Sequence, residues 1–112
     1  MKIVNRKDFL QMPANTLFSK FSPDNFGPLS IKVCDSNDGW HNDFVVQDIE
    51  GAIQCEGSDD FSNKCDLMVK GEEVAMDFEC AGRDGLFNND QLFAVWSKDD
   101  VKMLIDRLNK CL

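Results

Sequence analysis

The chain has no tyrosine, one histidine and three prolines among its 112 residues. A single histidine, His41, excludes a metal site built on two imidazoles. The five cysteines are Cys34, Cys55, Cys65, Cys80 and Cys111, and no two stand in a C-x-x-C spacing. Neither a zinc ribbon nor a dithiol redox motif is therefore present. An odd cysteine count without an export signal points to free thiols in a cytoplasmic setting, packed as small hydrophobes. Long apolar runs are missing too: the longest reach three to five residues, against roughly 20 needed to cross a bilayer. No basic amino end leads into an apolar stretch, so no secretory signal is expected. The most telling absence is positive charge, because no Lys or Arg lies between Val33 and Asn63.

That same stretch holds eight carboxylates: Asp35, Asp38, Asp43, Asp48, Glu50, Glu56, Asp59 and Asp60. Residues 35–100 carry 17 acids against four bases, a charge of −13, while residues 1–34 carry +3 and residues 101–112 carry +2. A field this lopsided acts on solubility, steering and partner choice rather than on fold. It repels nucleic acid and anionic lipid, and it favours a basic protein partner. With 43% hydrophobic and 29% charged residues, the chain has the make-up of one folded domain over residues 1–112.

Helical signals sit at the ends and strand signals in between. Asn5 caps a short helix over 6–11, with Val4 and Phe9 placed as a hydrophobic staple and Met12-Pro13 as its stop. Residues 15–21 favour a strand, followed by turn residues from Ser22 to Pro28. From Leu29 the alternation has period two, with Leu29, Ile31 and Val33 opposite Ser30, Lys32 and Cys34. It resumes over 43–49 after an Asp/Asn/Gly loop, which reads as an antiparallel hairpin with a long tip. Ser58-Asp59-Asp60 caps a helix over about 59–70, whose inward apolar face is Phe61, Cys65 and Met68 with Leu67 and Val69 less well aligned, and Lys70-Gly71 ends it. A strand over 73–80 turns Val74, Met76, Phe78 and Cys80 inward and Glu73, Asp77 and Glu79 outward. Gln91 to Trp96 is apolar on both faces, as a central strand is. Ser97 and Asp100 form a capping box for a last helix to about residue 110, striped by Val101, Leu104, Ile105 and Leu108. The expected fold is α+β, an antiparallel sheet of about five strands with helices packed on one face, in the order α-β-β-β-α-β-β-α.

Catalytic patterns are weak. Asp35-x-Asn37-Asp38-Gly39 begins like a calcium loop, but Gly39 is fifth rather than sixth and Val46 stands where Glu is needed. Gly82-Arg83-Asp84-Gly85 lacks the Lys and helix of a phosphate loop. Nothing in the pattern calls for a metal or another cofactor. Two features stand out as binding signals. Glu73, Asp77 and Glu79 form an outward acidic row, and Asp35 and Asp38 precede Trp40, an indole set among polar loop residues. Exposed Trp ringed by polar groups fits an interface hot spot.

Two stretches carry a resemblance. The first is Met12-Pro13-Ala14-Asn15-Thr16-Leu17-Phe18-Ser19-Lys20-Phe21 with Phe26-Gly27. The second is Met76-Asp77-Phe78-Glu79-Cys80-Ala81-Gly82-Arg83-Asp84-Gly85-Leu86-Phe87 running into Gln91-Leu92-Phe93-Ala94-Val95-Trp96. Together they resemble short acidic proteins of tailed phages and prophages that have no assigned activity. The resemblance implies a setting in which small acidic proteins block host enzymes, nucleic-acid-handling defence complexes such as CRISPR effectors among them. The expected function is thus a non-catalytic inhibitor, monomeric or homodimeric, acting in the host cytoplasm. Asp35, Asp38, Trp40, Glu73, Asp77 and Glu79 are its candidate contact residues. The alternative is a small enzyme or ligand-binding domain using the loop 81–90 and a thiol such as Cys80.

Overall fold

The computed structural model describes residues 1–34 and 42–112. The elements run β1 (Lys2–Val4), α1 (Arg6–Leu10), β2 (Thr16–Ser22), β3 (Asn25–Lys32), β4 (Val45–Asp48), α2 (Ser58–Val69), β5 (Ala81–Arg83), β6 (Leu92–Val95) and α3 (Lys98–Asn109). The six strands form one antiparallel sheet in the order β1-β6-β2-β3-β4-β5. The fold is α+β, as expected, with one strand more than anticipated. Lys2–Val4 pairs with β6 on one edge, and Ala81–Arg83, read from sequence as loop, forms the other.

Local chemistry accounts for most boundaries. The Asn5 side chain accepts from the Asp8 N–H at 2.8 Å, capping α1. Pro23 and Asp24 alone turn β2 into β3, with Asp24 at φ +62°, a conformation Asp tolerates better than most residues. The expected turn over 22–28 is therefore mostly strand. The β2–β3 register shifts opposite Gly27-Pro28, where a Cβ on Gly27 would lie 3.3 Å from the Lys20 carbonyl oxygen. Proline fits a sheet at such an irregularity because it has no N–H for the ladder. At α3 the Ser97 and Asp100 side chains exchange hydrogen bonds with each other's backbone, completing the box.

One face of the sheet and α1 enclose the core. Phe9 stacks on Phe93 at 4.0 Å between centroids and lies 4.7 Å from Phe18 and 5.0 Å from Phe44. Leu10 and Val95 complete the cluster, with Val4, Met12 and Val46 against it. Such aromatic pairs contribute about 0.5–1.5 kcal/mol each beyond the apolar area they bury.

The packing has two features that the alternation and the helix stripes left open. On β3 the polar set points into this core: Ser30 and Lys32 are buried, while Leu29, Ile31 and Val33 are half-buried on the opposite face. The reason is the C-terminal end of α1, where the last carbonyls accept from a buried cation in addition to the Gln11 and Met12 N–H groups. The Lys32 ammonium donates to the carbonyls of Phe9, Leu10 and Met12 at 3.3, 3.1 and 2.6 Å. The longer helices contribute little to this core, since neither α2 nor α3 has a buried residue. Ile105 and Leu108 of the α3 stripe are 53% and 54% exposed.

Candidate protein-binding surface

Between β4 and β5 the chain leaves the sheet, and this excursion carries most of the exposed acidic groups among the described residues. Gln54 N–H donates to the Ala75 carbonyl at 2.8 Å, and Asp77 N–H donates to Ala52 at 2.7 Å. A single bridge, Ile53 to Met76, lies between them. α2 stands at the end of this short ribbon. Lys64 ties it down by donating to the Gln54 carbonyl at 2.5 Å and approaching Asp60 at 3.5 Å. Gly57 rather than Ser58 precedes the helix, and Asp60 accepts from the Glu56 N–H at 2.8 Å.

The expected strand over 73–80 is not formed beyond that bridge. Residues 78–79 make a turn, and Met76, Phe78 and Cys80 are exposed instead of entering a core. The acidic row changes with it. Glu73 and Glu79 are exposed, whereas the Asp77 carboxylate folds back to accept the Glu79 N–H at 2.9 Å. The other expected contact residues, Asp35, Asp38 and Trp40, lie outside the described residues, as does His41.

Some acids are neutralised within the fold. Asp43, 1% exposed, accepts from the Arg83 Nε at 2.9 Å and from the Gly85 N–H at 3.0 Å. Burial disfavours its charge, but hydrogen bonds from the Gly85 and Phe44 N–H groups and from Arg83 hold its carboxyl below the usual range. Asp84 is buried against Lys20 at 2.5 Å and Arg6 at 3.6 Å. Arg6 also donates to the Asn42 carbonyl and lies over the Phe44 ring. Asp100 is held down to about 2 by the Met1 ammonium and then by the Ser97 backbone and hydroxyl.

Many others are not neutralised. Glu50, Glu56, Asp59, Asp66, Glu72, Glu73 and Glu79 are exposed and make no ion pair among the described residues. The same excursion exposes large apolar side chains, including Phe61, Met68, Val69, Met76 and Phe78, with Leu86 and Phe87 just after β5. A cleft of about 380 Å³ brings the two kinds together. Phe61 of α2, Val46, Ile53 and the β5 residues line it, together with Asp48, Glu50, Cys55 and Cys80. Sequence reasoning placed Phe61, Met76 and Phe78 in the core. The available signal was that Leu67 and Val69 lie off the α2 stripe, which weakens any single buried face.

Among the described residues no cluster of three or more His, Cys, Asp or Glu side chains is placed to hold a metal ion. No helix among them is long and apolar enough to cross a membrane. Comparison with protein families, with characterised proteins and with solved structures finds no match to this chain.

Proposed function

We propose that this protein is a non-catalytic binding module whose acidic, apolar-studded surface docks on a basic groove of a partner protein. One observation carries the reading: uncompensated carboxylates and large exposed apolar side chains share the segment between β4 and β6, and the cleft beside α2 brings Asp48, Glu50 and Phe61 together. Contiguous exposed apolar groups mark interaction sites on soluble proteins. Carboxylates around them select a cationic counterpart and speed encounter with it. A groove that otherwise holds nucleic-acid phosphates has that charge and invites competition. The setting we attach to this is a phage-encoded inhibitor of a host nucleic-acid-handling complex, of the anti-CRISPR or a related counter-defence type, and it rests on the resemblance of residues 12–21 and 76–96.

The test is affinity capture from a bacterial lysate followed by elution with duplex DNA or RNA. Release of a basic protein by nucleic acid supports the reading, and retention through a nucleic-acid wash overturns it. A second reading draws on Cys80, which is exposed and lines the cleft beside Cys55. It makes the cleft a ligand or reaction site. Selective alkylation of one cleft thiol, blocked by a small molecule, would favour it over the docking surface.

A further inference from the structure

At the other end of the sheet lies a groove of about 650 Å³, larger than the 380 Å³ cleft beside α2. It opens between the first turn of α3 and the ends of β2 and β6, and the connection from α1 to β2 closes one side. Its walls are apolar, formed by Met12, Leu17, Trp96 and Val101 among others. Among the described residues three lysines line it, Lys2, Lys98 and Lys102, and no carboxylate does.

In a chain of net charge −8, an all-cationic lining departs from the average. None of the three lysines makes an ion pair among the described residues. Asp100, close by on α3, is engaged by Ser97 and the Met1 ammonium. The groove thus combines apolar walls, unpaired positive charge and a volume within the range of about 300–1,000 Å³ usual for small-molecule sites. Lysine heads attract an anionic group while their methylene stems extend the apolar wall.

We propose that this groove binds a monomeric single-chain anionic amphiphile, a long-chain carboxylate, with its chain along Trp96 and Val101 and its head among Lys2, Lys98 and Lys102. The site is distinct from the acidic surface and independent of the function assigned to it.

Sodium dodecanoate, kept below its micelle threshold, is the probe, and dodecyltrimethylammonium is the control of equal chain and opposite charge. Isothermal titration of the unmodified protein reads the binding. Fluorescence of Trp96 in a Trp40→Phe variant reads the location, since these are the only two tryptophans. The expected result is saturable one-to-one binding of dodecanoate with a change in Trp96 emission. It should weaken about tenfold or more in Lys98→Glu/Lys102→Glu, the equivalent of about 1.4 kcal/mol. Both lysines are exposed, so thermal melting should show the variant folded. Equal binding of the cationic control, unchanged binding by the variant, or binding only to micelles or anionic vesicles would each overturn the proposal.

Discussion

The ammonium of Lys32, on the third strand, donates to the Met12 carbonyl at 2.6 Å across the end of the first helix. With its bonds to Phe9 and Leu10, this side chain reinforces the C-terminal end of a helix that Gln11 caps through its N–H. Hydrogen bonds to charged groups contribute about 1.5–3 kcal/mol each, and an orphaned buried carbonyl costs about 1–3 kcal/mol. Lys32→Met should therefore destabilise the domain by about 2–4 kcal/mol, read by urea unfolding. Lys20→Met, at a side chain about one-third exposed, should cost less.

Asp43 gives the fold an acid-sensitive latch. Its carboxyl is held below the ordinary value in the native state, so the unfolded chain binds the proton more readily. Its contribution is present above about pH 4, the unfolded-state value, and is lost as pH falls from there toward the native value. Unfolding free energy measured between about pH 2 and 6 should show a shallower acid loss in Asp43→Asn than in the unmodified protein. An identical profile would mean that the Arg83 and Gly85 contacts contribute nothing to acid sensitivity.

The exposed stripe of α3 separates solubility from stability. Because Ile105 and Leu108 are more than half exposed, Ile105→Glu/Leu108→Glu should change stability by no more than about 1 kcal/mol. Phe93→Ala, which opens a cavity beside Phe9 and Phe18, should cost about 3–5 kcal/mol.

Local structure was legible wherever a few neighbouring residues decide it. Asn5 with Asp8, and Ser97 with Asp100, announce two helix starts through side chains that reach only three residues along the chain. Gln91 to Trp96 announces a central strand by being apolar on both faces, and β6 lies between β1 and β2. What stayed hidden depends on distant partners. Nothing in the alternation of β3 reveals that Lys32 points inward, because its acceptors lie about twenty residues away on the α1 end. The period-two pattern over 73–80 suggested a strand, but only Met76 finds a bridge partner, so Phe78 and Cys80 remain outside. The acidic character of the mid-chain was plain from composition. Its division into latched acids (Asp43, Asp84) and free ones (Glu73, Glu79) was not, since it depends on where Arg6, Lys20 and Arg83 fall in space.

That division identifies the residues to change when the surface is tested. Asp77 is a poor choice, because its carboxylate holds the turn at Glu79. Glu73→Lys/Glu79→Lys reverses surface charge alone and should leave stability within about 0.5 kcal/mol. Phe61→Ser/Phe78→Ser should weaken partner capture with little loss of stability, since both rings are about half exposed.

The most direct measurement is capture of a basic partner by the unmodified protein and by Glu73→Lys/Glu79→Lys, at about 50 mM and about 500 mM salt, where the screening length shrinks from above 10 Å to below 8 Å. The account predicts strong capture by the unmodified protein at low salt, sharply reduced at high salt, and weak capture by the variant at both. Equal capture by the two proteins, insensitive to salt, would contradict it.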